Sequence, residues 1–254
     1  MKKIALLAAA GTCLIAAPAM ASDEDSWTGA YVGVSAGHDS TSSKTATTLG
    51  GNWSTEAQAL RDFVTSRSAS NMSVKAANIG AQIGYNAQIG EMLVVGAEAD
   101  AALLTGKTDY VRGPLSYSTT PALGYTFTNR IDPKSSYAVK AKLGVAMGPT
   151  LLYATGGWGW TRAGLGADIV STAGYKKTAS LNHTYDGFVV GGGIEHKFAP
   201  NISARLDYTY TDQGDFSYPT SYVTGSTSTT PAYGETISQN LKMHQVRVGV
   251  NFHF

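Results

Sequence analysis

At the end of the chain, His244, Val246, Val248, Val250, Phe252 and Phe254 alternate with Gln245, Arg247, Gly249, Asn251 and His253 up to the last residue. A period of two, with one apolar and one polar face, is the pattern of a half-buried strand. It recurs along the chain and predicts eight strands, at 27–38, 76–88, 93–106, 135–147, 150–165, 185–198, 201–214 and 242–254. The second reads Ala77, Ile79, Ala81, Ile83, Tyr85, Ala87 on one face. The fourth reads Tyr137, Val139, Ala141, Leu143, Val145, Met147, and the seventh Ile202, Ala204, Leu206, Tyr208, Tyr210. The first and fifth are glycine-rich, so their phase is less sharp.

The connections alternate in length. Ile89-Gly90-Glu91-Met92, Gly148-Pro149 and Ala199-Pro200 are short, whereas 39–75, 107–134, 166–184 and 215–241 are long and rich in Ser, Thr and Gly. Short turns at one end and long loops at the other describe an up-and-down barrel. Each predicted strand exceeds the roughly 9–11 residues that a tilted strand needs to cross a bilayer. Alternation alone does not say which face is outside, because a soluble lipocalin-like barrel would carry the same pattern inverted. Two features decide for the membrane. The polar face is crowded with small residues (Gly80, Gly84, Gly96, Gly144, Gly191, Gly193, Gly249), as a narrow eight-stranded interior demands. The apolar face carries aromatics at two levels: Tyr85, Phe198, Phe252 and Phe254 near the short turns, and Tyr137, Trp160, Phe188 and Tyr210 toward the long loops. Two aromatic girdles around an aliphatic band mark a membrane barrel. The expected fold is therefore all-β, an eight-stranded antiparallel up-and-down transmembrane β-barrel over residues 22–254.

Residues 1–21 read as a cleaved export signal, with Lys2 and Lys3, an apolar stretch from Ile4 to Ala17, and Ala19-Met20-Ala21 as the cleavage site. The single cysteine, Cys13, lies in that leader without the small residue before it that lipidation requires. The mature chain then has no thiol for a disulfide or a thiolate metal site, and no cofactor is expected. A net charge of +1 gives no reason to expect a nucleic-acid partner.

The chain resembles the small eight-stranded outer-membrane proteins of Gram-negative bacteria. "WTGAYVGVSAGH" (27–38), "LLYATGGWGW" (151–160) and the terminal "VRVGVNFHF" look like the alphaproteobacterial surface-antigen or opacity-type porin family. The resemblance covers Trp27 to Phe254. It implies an outer-membrane location and a surroundings of outer-membrane lipid and lipopolysaccharide. It also implies that Phe252 and Phe254 form a sorting signal for the barrel-assembly machinery. None of these stretches identifies an activity; the expected role is structural and surface-facing, envelope integrity and contact with the environment or a host through loops 39–75 and 215–241. A narrow porin-like channel for small solutes is the alternative, and a lipid-modifying enzyme a more distant one.

On the inward face, Glu98 and Asp100 are predicted beside Lys140 and Lys142, Glu195 opposite Arg205, and Asp207 opposite Arg247. Four acids and four bases at one depth read as a plug of neutralised ions. The second reading is a gated or narrow polar path for small solutes, and the last a proton relay or catalytic carboxylate pair. Catalysis by a Ser–His system would need both at the lipid-facing rim. His196 and His244 fall in the outward phase at opposite ends, and His38 and His183 near the outer rim among many serines, where chance proximity is common and histidines more often anchor at the interface. "GGNW" (50–53) and "VVGGG" (189–193) are not phosphate loops, since neither opens a helix after a strand. "STEAQALRDFV" in the first long loop predicts a short amphipathic helix. Thr55 and Gln58 would form its capping box, and Ala59, Leu60, Phe63 and Val64 its apolar side.

Overall fold

The computed structural model describes residues 26–254. The expected leader at residues 1–21, with Cys13, lies outside the described residues. Ten strands follow in chain order: β1 Gly29–Gly51, β2 Ser70–Ile89, β3 Leu93–Thr105, β4 Thr108–Tyr117, β5 Thr120–Met147, β6 Thr150–Ser171, β7 Lys176–Ala199, β8 Ile202–Pro219, β9 Ser221–Tyr222 and β10 Tyr233–His253. Eight of them close a ring of antiparallel pairs in the order β1, β2, β3, β5, β6, β7, β8, β10. Closure comes from β10 on β1 and from β3 on β5, with Tyr31 opposite His253 and Glu98 opposite Lys140. A closed ring leaves no backbone edge open to lipid. β4 folds back on the upper part of β5, and β9 is a short addition to β7.

The predicted strands are all present, but four expected loops are largely strand. Residues 39–51, 70–75, 120–134, 166–171, 176–184, 215–219 and 233–241 continue their neighbours beyond the membrane band. In β1 the inward residues of this extension are Thr41, Ser43, Thr45 and Thr47, so both faces are polar and no hydropathic alternation betrays the strand. Elsewhere the alternation is present but inverted. On β6, Leu152, Trp158 and Trp160 point outward, whereas Ala163, Leu165, Ala167 and Ile169 are buried inside. On β10 the outward row Val246, Val248, Val250 gives way to inward Met243, Leu241 and Ile237. On β5 an irregularity between Pro133 and Ser135 brings Ile131 and Phe127 inward. Above the bilayer the wall faces water outside and packs apolar residues inside, as a soluble barrel does.

The outward surface below that switch is apolar. Ile79, Ile83, Val139, Leu143, Ile194 and Val248 are exposed, as are Tyr85, Tyr137, Trp160, Phe188, Phe198, Phe252 and Phe254 at the two girdle levels; Tyr210 is partly exposed. Trp158 and Tyr208 add to the upper girdle, which is confined to β5–β8. Inward glycines leave room for large side chains. A methyl group on Gly84 would sit 2.4 Å from the Tyr31 ring, and one on Gly193 would lie 2.6 Å from the Tyr153 hydroxyl.

The first long connection differs from expectation at its start. A 3-10 turn occupies Asn52–Thr55 and the helix α1 runs Gln58–Ser68, so Thr55 lies in the turn and caps nothing. Its hydroxyl donates to Asn52 O, and Gln58 instead bonds Asp62 and Arg61. Leu60 and Val64 are buried and Phe63 packs beside them, while Ala59 is exposed. The helix lies over the barrel mouth.

Candidate functional site, the ion network of the lumen

The narrow interior is stratified along its axis. At the short-turn end Trp27, Val94, Ala146, Leu151 and Tyr153 form an apolar stopper. Trp27 precedes β1 rather than forming part of it, and its indole donates to Gly148 O at 3.2 Å. Above the stopper lie the charges, and above those a second apolar layer that includes Met72, Ile131, Leu165, Tyr185, Ile237 and Leu241. A third, aromatic layer of Trp53, Tyr125, Phe127 and Tyr175 with Leu60 and Val64 of α1 completes the cap.

All eight predicted interior charges point into the lumen and are buried. Glu98 is the hub. Lys140 lies 2.9 Å from it, Lys142 3.4 Å, and Arg205 2.6 Å, and the Tyr31 hydroxyl donates to it at 2.7 Å. Lys140 also reaches Asp100 at 2.7 Å, and Arg247 meets Asp100 at 2.8 Å. Asp207 takes Arg205 at 2.8 Å and Arg247 at 3.6 Å. Two expected pairings are rearranged. Glu195 and Arg205 are cross-strand neighbours, yet no ion pair joins them, because the long guanidinium stem extends across the lumen to Glu98. Asp207 does face Arg247 in register, but Arg247 binds Asp100 more closely. Glu195 sits lower, held by Ser203 at 2.5 Å, Asn251 at 2.6 Å and His253 at 3.3 Å, with Lys142 at 3.9 Å.

Four acids and four bases in mutual contact leave no net charge in the cluster. Removing such ions from water is expensive, and only full pairing with further hydrogen bonds offsets it. A void of about 10 Å³ beside Asp100, Lys140 and Arg247 is no larger than the ~10–15 Å³ that one water requires. Sequence reasoning missed Tyr31, Ser203, Asn251 and His253. All four fall on the inward phase, but none carries a fixed charge, so a search for opposite charges passes over them.

Ser203, His253 and Glu195 superficially suggest a nucleophile system, with Ser203 Oγ 2.9 Å from His253 Nε2. The connectivity is wrong for one. A working triad holds its acid on the ring nitrogen remote from the serine. Here Glu195 and Ser203 both contact Nε2, and the serine hydroxyl donates to the carboxylate. Of the histidines weighed from sequence, His196 meets Thr150 and His244 meets Tyr208, both on the exposed outer wall. His183 stacks edge-on against Tyr185, and His38 is exposed on β1. No group of three metal-ligating side chains occurs among the described residues.

A closed eight-stranded ring with an apolar exterior, two aromatic levels and a charge-filled interior defines a transmembrane barrel of the outer membrane. The family model for the outer membrane protein beta-barrel domain matches residues 7–254, and the chain belongs to that family. It is 26% identical to the 31 kDa outer-membrane immunogenic protein of Brucella melitensis, over 91% of this chain and 85% of that one. It is 31% identical to the 22 kDa outer membrane protein of Rhizobium leguminosarum over 43% of this chain and 51% of that one. Among solved structures, the outer membrane protein OprG of Pseudomonas aeruginosa superposes with a TM-score of 0.55 at 13% identity, covering 92% of this chain and all of the other. That likeness is one of fold. The location in a Gram-negative outer membrane expected from the three quoted stretches follows from the family and these relatives.

Proposed function

We propose that this barrel is a non-conducting structural component of the outer membrane that presents its cap to the surroundings. The observation that carries this reading is the stratified lumen. Two apolar layers bracket a charge cluster whose members are paired with one another, so an ion entering would have to break paired charges and then cross packed side chains. The second support is the cap, where strand extensions, the 3-10 turn and α1 form one packed surface rather than a mouth. The Brucella relative is named as an immunogenic protein of the outer membrane, which fits a protein met from outside. The histidine geometry favours no hydrolytic or transferase role.

Purified barrel in planar bilayers tests the proposal. The expected result is a silent bilayer under conditions where a porin gives steps. Stable, voltage-independent conductance steps proportional to protein added would overturn it and make a narrow channel the better reading.

A further inference from the structure

The outer wall is not uniform around its circumference. The upper aromatic girdle covers β5–β8, whereas β1–β3 carry no aromatic residue at that height. On these three strands the outward wall instead forms a shallow groove of about 710 Å³. Ala36, Ala81 and Ala101 make its floor, flanked by Val34, Ile79 and Leu103. The groove lies within the apolar band, beside the bulkier surface of β10 and Tyr137.

Directly above it, toward the long loops, the outward positions become cationic. Lys75 on β2 stands opposite Ser40 of β1, and Lys44 stands two outward positions further up, opposite Asn71. Lys107 follows β3. A methyl built on Gly106 would lie 2.9 Å from Ala76 Cβ, so Gly106 sits beside inward Ala76 and Lys107 falls beside Lys75. All three lysines are exposed and none joins an ion pair. His38 lies just below them, outward on β1. The outward positions of β1, β2 and β3 hold no carboxylate, whereas β6, β7 and β8 place Asp168, Asp186 and Asp212 outward.

We infer that this face of the barrel binds a phosphate-bearing, acylated lipid of the outer leaflet. Its phosphates would rest on Lys44, Lys75 and Lys107, and an acyl chain would lie in the groove below. The chemistry fits that occupant on both counts. Small side chains leave a channel for a hydrocarbon chain at the depth where lipid tails run. The lysines stand at the depth of headgroups and no carboxylate among the described residues is ion-paired with them, since Asp109, two residues beyond Lys107, pairs with Arg130. A second copy of the chain is a poorer occupant, because a two-fold interface sets each patch against itself and would bring the same lysines together.

Native mass spectrometry of the detergent-solubilised barrel tests this with purified lipid A, dephosphorylated lipid A and inorganic phosphate as probes. The wild type is expected to hold lipid A in preference to the dephosphorylated form. Lys44→Gln with Lys75→Gln and Lys107→Gln should weaken that binding on the order of 100-fold, from about fivefold for each lysine near a lipid surface. Ala81→Leu with Ala101→Leu fills the groove without touching charge and should also weaken it. Arg162→Gln with Lys176→Gln, exposed cations on β6 and β7, should leave it unchanged. Heat-modifiable gel mobility reports folding of each variant. Binding by the wild type should fall as salt is raised, which needs no variant. Equal binding of the dephosphorylated lipid, equal loss in the Arg162/Lys176 control, salt-insensitive binding, or inorganic phosphate displacing lipid A would each overturn the inference. So would a dimer that excludes lipid from this face.

Discussion

Arg205 on β8 grips Glu98 on β3 across the full width of the lumen, with Nη1 2.6 Å from Oε2 and Nη2 3.3 Å from Oε1. In the eight-stranded ring these strands lie four places apart in either direction, so the pair ties opposite walls together. Neighbouring strands are already joined by their backbone ladders. A cross-lumen pair adds what ladders do not provide, a constraint on the cross-section.

That arrangement predicts strong coupling. Glu98→Gln strands Lys140, Lys142 and Arg205 around one missing charge and should lower stability by about 3–5 kcal/mol. Glu98→Gln with Arg205→Gln removes one charge of each sign and should lose much less than the two single changes added together. Urea unfolding from lipid vesicles reads the coupling directly. Additive, small effects would mean that water already solvates these ions.

Tyr31 makes a sharper, smaller test. Its hydroxyl donates to Glu98 at 2.7 Å and accepts from Lys142 Nζ at 2.7 Å, linking β1 to the network. Tyr31→Phe should cost roughly 1.5–3 kcal/mol, the range for hydrogen bonds to charged groups. Tyr85→Phe alters a tyrosine on the lipid-facing surface and should change unfolding little. Equal effects of the two would remove Tyr31 from the network.

The membrane part of the fold was legible because its two solvents differ sharply. Lipid outside and ions inside impose one alternation from Val246 to Phe254, and the same logic found all eight interior charges. The upper half was not legible for a physical reason. The apolar face changes side where the wall leaves the bilayer, so Leu165 and Ile169 break the phase set by Leu152 and Trp158. Thr41 to Thr47 show no phase at all. Partner choice in the lumen was equally hidden. Cross-strand register places Glu195 beside Arg205, but the reach of an arginine across a narrow barrel is not a property of register.

The two apolar layers should act as seals in series. Trp27→Ala with Leu151→Ser opens only the periplasmic stopper, and bilayers should stay silent. Adding Leu241→Ser and Ile237→Ser breaches the upper layer too, and conductance should then appear. Conductance from the first pair alone would mean that the upper layer is no barrier.

Topology is testable with cysteines, since the sequence holds only Cys13 and that lies in the expected leader. Thr224→Cys, in the connection between β9 and β10, should react with an impermeant maleimide on intact cells. Pro149→Cys, in the turn between β5 and β6, should react only after the outer membrane is breached. Equal labelling of both would reverse or abolish the assigned orientation.

The cap has its own hub. Buried Glu235 on β10 accepts from Trp53 Nε1 at 2.7 Å, from Thr220 Oγ1 at 2.6 Å and from the Tyr175 hydroxyl, and pairs with Lys177 at 3.1 Å. Burial, then the hydrogen bond to Glu235, holds the Tyr175 phenol above its usual range, so it remains a donor. These contacts join the 3-10 turn to β7, β10 and the connection after β8. Glu235→Gln leaves Lys177 without its carboxylate and should lower local stability by about 3–5 kcal/mol. Because proteins open locally as well as globally, the loss should appear as faster hydrogen exchange and proteolysis across Asn52–Ser68. Unfolding of the membrane-spanning part should be unchanged. Adding Lys177→Met removes the stranded cation and should restore most of the protection. If exchange in that segment is the same in Glu235→Gln as in wild type, the aromatic packing of Trp53, Tyr175 and Tyr233 alone holds the cap closed.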